Sequence, residues 1–500
     1  MSRSISIALL LGGAQAGLYF DRVDSINPPR VDRSAFDAYG RTVAVDGDIA
    51  IIGAPGGYTS GGSAFIHDLN TGLSVRLDGD DYRDNTDDAQ DGHGFASSVA
   101  VSGDTVVVGA WKHYVTPVFH AYNSGSAQTG AVYVFETDGT LRFRLTAPDS
   151  TDFDRFGNAV AIHGDVIAIG RMTYYWRRWR DVPDQEAGVY FFHARTGAYL
   201  GLQHAPARFQ ELHAGNYGDY FGSSLAMSST HIVISAPGYE YADCAVYADS
   251  PEAGLCRAVF VFSYTLDGSG TSLALTKTAR LSIAGVDGSS PKVDRDAFAQ
   301  YRDTPIGQQP EPDAKAVAIS GDYIVVAATE TSSSMLNDDS SDPSQGAAII
   351  FNVMGDRLGV INAPSRPRQT TTLGCSVGIL GNLVLVGDVS DPTTGRGVVY
   401  AYEFDFANFA VSGGGWNARF LGRFQPPQRD NELATYGSTG DYFGGAIAVA
   451  ERGVGAPVVV VGAETATAER CLHGGPCLAA GEAWLYNATS LFMAEASYAV

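Results

Sequence analysis

The sequence predicts an all-β protein, folded as a single seven-bladed β-propeller with four antiparallel strands in each blade. Three observations lead to this prediction. Glycine is abundant, with 59 residues among 500, as a fold with many tight turns requires. Short runs of β-branched and aromatic residues alternate with Gly, Asp, Ser and Pro, which is typical of strands joined by turns. A unit of four such runs returns seven times at a spacing of about 60 residues, as propeller blades do.

The unit is clearest between residues 95 and 147. Its first strand is predicted from Phe95 to Ser102, its second strand ends at Gly109-Ala110, its third begins at Gly130 and its fourth covers 141–147. The seven units begin near residues 39, 95, 156, 221, 314, 373 and 443. One blade cannot bury both of its faces alone, so neighbouring blades pack together and the ring closes. A two-sheet sandwich would not explain seven ordered copies.

The order of short motifs within each unit resembles the FG-GAP repeat of integrin α-subunit propellers and of many secreted microbial proteins. Phe-Gly or Tyr-Gly comes first, as at Phe156-Gly157, then Val-Ala, then Gly-Asp, as at Gly164-Asp165, and then Gly-Ala-Pro, as at 53–55. The resemblance covers roughly residues 36 to 490. It implies a propeller that meets a protein partner on one face. Some members carry a separate hydrolase domain, for which this chain has no room.

Many FG-GAP blades hold calcium in a loop of the form Asp-x-Asn-x-Asp-Gly between their first and second strands. The turns here, such as Asp46-Gly47-Asp48, contain at most two carboxylates, which is too few to surround the ion. We therefore expect no calcium in these turns. We expect their aspartates to form hydrogen bonds with their own backbone. No cofactor is predicted to be required.

A different loop is the candidate calcium site, because seven aspartates lie within the segment 78–91. The residues predicted to bind are Asp78, Asp80, Asp84 and Asp88. The alternative is an acidic loop that is merely solvated.

The N-terminus has the pattern of a secretory signal peptide over residues 1–16. Arg3 precedes an apolar run from Ile5 to Leu11, and Ala14-Gln15-Ala16 supplies a cleavage site. The alternative is an apolar first strand. Residues 17–500 would then form the mature propeller, secreted or held at the cell surface. Two cysteine pairs each bracket one loop and are candidate disulfides in an oxidising compartment: Cys244 with Cys256, and Cys471 with Cys477.

Charge and motifs exclude several function classes. The formal net charge is −22, which disfavours nucleic acid and anionic membrane surfaces as partners. The sequence has no apolar run of about 20 residues, the length that a membrane span needs. It has no His-Glu-x-x-His motif and no Gly-x-x-x-x-Gly-Lys motif, so an enzyme is not the first prediction. Oligomeric state does not follow from the sequence.

The long connections fall between second and third strands and between blades, which are the two connection types that leave an up-and-down blade at the same end. We expect this face to be the binding surface, because rigid scaffolds carry function on such loops. Aromatic and arginine side chains dominate binding hot spots. The predicted patch consists of Tyr174, Tyr175, Trp176, Arg177, Arg178, Trp179 and Arg180, extended by Trp111, His113 and Tyr114. The alternative is a loop folded over the ring, its Trp residues covering apolar surface and its Arg residues paired with Asp.

The sequence therefore favours an extracellular binding or adhesion module that recognises a protein or a glycan through this face. Two alternatives stay open: a hydrolase that works in the central channel, and a purely structural surface or matrix module. Ring closure is also open. A last strand over 491–498 completes the seventh blade, or residues 17–23 pair there instead of it or beside it.

Overall fold

The structure is a computed structural model. It describes residues 18–19, 21–26, 38–56, 61–79, 94–113, 129–150, 154–172, 187–206, 220–236, 258–281, 317–328, 346–362, 373–389, 397–406, 418–425, 442–452, 456–463 and 481–487. Every regular secondary-structure element in these ranges is a β-strand, as the sequence predicts. In the same ranges no helix has the length and apolar character needed to cross a membrane.

Two strands precede the first blade, β1 (Leu18–Tyr19) and β2 (Asp21–Ile26). The first blade contains β3 (Thr42–Asp46), β4 (Ile49–Ala54), β5 (Ser63–Asp68) and β6 (Ser74–Leu77). The second contains β7 (Phe95–Ser102), β8 (Thr105–Ala110), β9 (Ala131–Glu136) and β10 (Leu141–Leu145). The third contains β11 (Val160–His163), β12 (Val166–Arg171), β13 (Gly188–His193) and β14 (Tyr199–His204).

The fourth blade contains β15 (Leu225–Met227), β16 (His231–Ala236), β17 (Ala258–Leu266) and β18 (Leu273–Leu281). The fifth contains β19 (Val317–Ser320), β20 (Tyr323–Ala328), β21 (Ala347–Asn352) and β22 (Arg357–Asn362). The sixth contains β23 (Val377–Leu380), β24 (Leu383–Asp388), β25 (Val398–Phe404) and β26 (Ala418–Phe424). The seventh contains β27 (Phe443–Arg452), β28 (Ala456–Ala463) and β29 (Glu482–Asn487).

The seven sheets form one closed ring. Within each blade the strands pair in chain order and antiparallel. The first strands touch one another in the cyclic order β3, β7, β11, β15, β19, β23, β27 and back to β3. They therefore line the centre, and the fourth strands lie at the outside. The predicted seven-bladed β-propeller is confirmed.

The N-terminal segment completes the seventh blade. β2 pairs antiparallel with β29, with Arg22 opposite Tyr486, and takes the place of the fourth strand. β1 pairs in parallel with β26, the outer strand of the sixth blade, with Leu18 opposite Gly422. The closing strand is thus a few residues later than the 17–23 expected from the sequence. The alternative strand over 491–498 lies outside the described residues.

Glycines of the repeat allow the blades to approach closely. A Cβ atom added to Gly109, at the end of β8, would overlap the carbonyl oxygen of Gly157 in the next blade. A Cβ atom added to Gly462 would likewise overlap the carbonyl oxygen of Gly40, at the point where the ring closes. Gly157 and Gly40 have φ values of +90° and +86°, which side chains with a Cβ rarely adopt. The Phe-Gly and Gly-Ala motifs therefore form the two halves of one contact between blades.

The turns between first and second strands also join the blades, on the opposite end of the ring. Asp46 accepts a hydrogen bond at Oδ2 from the backbone N–H of Gly103 in the next blade, with a distance of 2.7 Å. Ser102 accepts one at Oγ from Gly164 N–H at 3.1 Å. This differs from the expectation that the turn aspartates bond their own backbone. At the seam of the ring, Asp48 pairs with Arg452 of the seventh blade.

Candidate recognition face

The connections between second and third strands and those between blades leave the ring at one end, because every blade is an antiparallel meander. We call this end the loop-rich face. Its described parts are mainly the roots of the connections, such as 111–113, 146–150 and 171–172. The short Gly-Asp turns leave at the other end, the turn face.

Many residues predicted as sites lie outside the described residues. These are Tyr174 to Arg180, Tyr114, Asp80, Asp84, Asp88 and the four cysteines of the candidate disulfides. Asp78 is described, and its Oδ1 accepts hydrogen bonds from Ser63 Oγ at 2.8 Å and from Arg76 Nε at 2.9 Å. Among the described residues, no three His, Cys, Asp or Glu side chains come close enough together to hold a metal ion.

Trp111 and His113 lie inside the loop-rich face and not on its surface. Their relative exposures are 3% and 4%. The guanidinium of Arg155 lies 4.6 Å from the centre of the Trp111 ring, and the amine of Lys112 lies 4.8 Å from it. This differs from the exposed position that the sequence suggested. A Trp ring at the start of a connection covers more apolar surface by packing inward, so these side chains support the face from below.

A buried ionic cluster lies beside them, at the root of the connection that contains the predicted patch. The Arg171 side chain is only 1% exposed, and its Nη1 donates to Asp149 Oδ2 at 3.0 Å. Asp154 Oδ2, fully buried, lies 4.0 Å from the same nitrogen. The guanidinium also stands 4.9 Å from the centre of the Tyr190 ring. The Tyr190 hydroxyl donates to Asp149 Oδ1 at 2.6 Å. We call Asp149, Asp154, Arg171 and Tyr190 the blade-three anchor.

The electrostatics of this anchor fix its charge state. Burial opposes ionisation of Asp149, but the hydrogen bonds from Tyr190 and Arg171 outweigh it and lower the pKa of Asp149 below its usual value. Burial, and then the hydrogen bond to Asp149, raise the pKa of Tyr190 far above its ordinary range. At neutral pH the carboxylate is therefore charged and the phenol is protonated. The arrangement therefore holds a half-exposed carboxylate beside a protonated phenol.

The strand register shows what is special about Arg171. It occupies the last position of the second strand, where the other blades place Ala54, Ala110, Ala236, Ala328, Asp388 and Ala463. Sequence reasoning treated Arg171 only as the beginning of a long connection. The signal was present, because Gly170-Arg171 replaces the repeat's Gly-Ala.

Polar side chains on the inner strands, near the loop-rich end of the channel, bond the next blade. Thr42 Oγ1 donates to Ala96 O at 2.8 Å, Ser98 Oγ to Gly157 O at 2.8 Å, and Ser376 Oγ to Gly444 O at 2.6 Å. Ser376 is fully buried and belongs to a Gly-x-Ser-x-Gly pattern over 374–378 that the sequence reasoning passed over. That motif activates a serine at a strand-to-helix turn, whereas here it opens a β-strand.

Comparison with known proteins agrees with the repeat. The family model for the FG-GAP repeat matches residues 86–135 and 140–188, which cover the second blade and the first two strands of the third. The chain is therefore a seven-bladed β-propeller that carries FG-GAP repeats, as the sequence predicted. Among solved structures it is similar to a europium-containing methanol dehydrogenase, with a TM-score of 0.41, 10% identity and 93% of each chain covered. A search of curated proteins returns no match.

Proposed function

We propose that this protein is an extracellular binding or adhesion module, which recognises a protein or a glycan through its loop-rich face. The observation that carries the proposal is the blade-three anchor. One blade of seven replaces the repeat's alanine with a buried arginine, at the root of the connection 173–186. A connection whose first residues are held in place loses less conformational entropy on binding than one whose ends are free. This connection is therefore suited to recognition.

Two further features support the proposal. FG-GAP propellers provide a fold suited to protein binding, and the matched residues include Asp149, Asp154 and Arg171 of the anchor. The connection itself is rich in Trp, Tyr and Arg, the residues that contribute most to binding hot spots. Export of the mature chain, with a signal peptide over 1–16 and disulfides between the two cysteine pairs, completes the proposal.

The test is a screen of the mature chain against a glycan array and a library of secreted proteins. One variant changes Trp176, Arg177, Arg178 and Trp179 to Ala. A matched control changes Tyr239 and Tyr241 to Ala, on the connection that follows β16. We expect a ligand whose binding is lost in the first variant and kept in the control, with both variants melting like the unchanged protein. A ligand that binds all three proteins equally contradicts the proposed site.

Each screen is repeated with a calcium chelator. Binding that survives the Trp-Arg substitutions but is lost in chelator would move the site to the acidic loop of Asp78, Asp80, Asp84 and Asp88. A protein that binds nothing under either condition would favour the structural role or catalysis in the channel.

A further inference from the structure

Charge is unevenly distributed among the strands. We use the name outer wall for the six fourth strands β6, β10, β14, β18, β22 and β26. They contain no Asp or Glu, although these two residue types make up 55 of the 500 residues. In the other strand positions of the blades, acids do occur, as at Asp46, Asp388 and Glu136.

Basic residues show the opposite distribution. Every Lys and Arg within the described strands lies on a fourth strand, except Arg171 and Arg452. On the outer wall they include Arg76, Arg144, Lys277, Arg357, Arg419 and Arg423. β2, the fourth strand of the seventh blade, also carries Arg22 but has Asp21 and Asp24 as well, so the wall is interrupted there. From these observations we infer that the outer wall binds an anionic polysaccharide.

Protection of open sheet edges accounts for only part of this pattern. Edge strands avoid aggregation by carrying charge, Lys above all, so basic residues on a fourth strand are expected on that ground. Edge protection does not explain exposed aromatic and apolar side chains on these strands, and it does not apply to β26, whose edge is paired with β1 although Arg419 and Arg423 lie on it. The basic residues and the exposed apolar groups together point to an anionic partner.

Several basic side chains of the wall are accessible, although the Arg142 side chain is only 15% exposed. The Arg419 side chain is 56% exposed although it pairs with Glu403, and the Arg76 side chain is 43% exposed although it pairs with Asp78. Exposed ion pairs contribute about 1 kcal/mol or less, so a sulfate or carboxylate of a ligand can replace the protein's own acid. The arginine fork binds such groups with two parallel hydrogen bonds.

Exposed apolar groups lie on the same surface. Of the described large apolar side chains that are exposed, Leu141, Tyr199 and Phe420 lie on fourth strands, and Leu73 and Met354 lie on the hairpins that lead to them. Tyr199 and Phe420 are 47% and 40% exposed. Phe420 shares β26 with Arg419 and Arg423, and such a strand suits a charged sugar, whose ring carbons pack on an aromatic face while its acidic group meets a cation.

The shape of the wall favours a flexible polymer over a flat membrane. The six strands face outward in different directions around the ring, so a planar bilayer would touch one or two of them. A polysaccharide chain can follow the rim across several blades.

The experiment measures binding of the full chain to heparin, to polygalacturonate and to neutral dextran, at low salt and at about 0.5 M NaCl. A wall variant combines Arg144→Gln, Lys277→Gln and Arg419→Gln. The control removes an exposed positive charge from the turn face with Arg195→Gln, whose side chain is 62% exposed, and it is compared with the single wall change Arg144→Gln. Thermal melting checks that all the variants fold.

We expect binding to one or both polyanions, none to dextran, and loss of binding at high salt because released counterions drive the association. The wall variant should bind at least about 10-fold more weakly, and the control should bind like the unchanged protein. The inference is independent of the proposed function, whose failure would appear only in the loop variants. It is overturned if no polyanion binds, if the wall variant binds like the unchanged protein, or if vesicles rich in anionic lipid, tested alongside, bind more strongly than either polysaccharide.

Discussion

Gly481 forms a parallel β-bridge with Tyr39, and this bridge joins the last blade to the first. The same bridge links Gly130 to Phe156 and Gly397 to Phe443 at other blade boundaries. The closing seam therefore uses the contact that the repeat uses elsewhere, and it adds β2 as a strand contributed by the N-terminal segment. Opening this seam would separate the first blade of the ring from the last.

Replacing Gly462 with Ala should prevent normal closure of the ring. The added Cβ would overlap the backbone oxygen of Gly40, which cannot move without displacing β3. We expect the variant to lose about 3 kcal/mol of stability, seen as a lower melting temperature. Gly268→Ala is the matched control, because nothing lies within 4 Å of its Cβ position. Equal melting of the two variants would show that the blades are not in close contact at Gly462.

Removing the closing strand should destabilise the seventh blade. A chain that begins at residue 17 keeps β1 and β2, whereas one that begins at residue 27 leaves the edge of β29 open. We expect the chain that begins at residue 17 to melt at the same temperature as the full-length chain. The second should melt at a lower temperature and aggregate, because an unpaired edge attracts other strands. Light scattering during heating measures both properties. Identical behaviour of the two truncations would contradict closure by residues 21–26.

His67 should make the first blade sensitive to acid. It is buried at the contact with Tyr39, whose hydroxyl lies 2.8 Å from His67 Nε2, and burial lowers the pKa of His67 to about 4. Because the folded-state pKa lies below the unfolded value, the neutral ring is favoured by folding. Its full contribution is present above about pH 6.5 and is lost as the pH falls towards 4.

The loss should reach about 3 kcal/mol. His67→Phe tests this, since four other blades place Phe at the aligned position: Phe135, Phe192, Phe262 and Phe351. Melting temperatures between pH 7 and pH 4 should fall further for the histidine form than for the phenylalanine form. Parallel curves would mean that His67 does not contribute to acid sensitivity.

Breaking the blade-three anchor should be costly. Arg171→Met keeps the length of the side chain but removes the cation that faces Asp149 and Asp154, and loss of a buried charge partner costs about 3 kcal/mol or more. Asp149→Asn should cost about 1 kcal/mol or less, because this carboxylate is 47% exposed. Urea denaturation followed by Trp fluorescence compares the two. If Arg171→Met is as stable as the unchanged protein, the anchor does not fix the root of the connection.

The sequence predicts the ring well because its signals are local and repeated. Gly-Asp marks a two-residue turn, and Gly47, Gly103 and Gly164 indeed adopt φ values of +54° to +56°. Ring closure is harder to predict from sequence, because β2 (DRVDSI) does not resemble any other fourth strand. Only its partner β29 determines that it is a strand.

The candidate site is less predictable than the ring. An aromatic residue at the start of a connection, such as Trp111, packs inward or outward depending on neighbours that are distant in sequence, here Arg155 of the next blade. Arg171 was overlooked because arginine is almost never fully buried without a partner, and its acidic partners, Asp149 and Asp154, come from the connection between the second and third blades. The repeat alignment reveals it only when each blade's departure from the Gly-Ala motif is taken as a structural signal.

The most direct test of the central claim is hydrogen exchange, measured by mass spectrometry, of the mature chain with and without the strongest ligand from the array screen. If the loop-rich face is the recognition surface, ligand will protect peptides from the connections between second and third strands and between blades, above all 173–186. Peptides that contain only turn-face hairpins, such as 137–140 and 267–272, will exchange as before. Protection confined to the turn face, or to the inner strands of the channel, would contradict the claim.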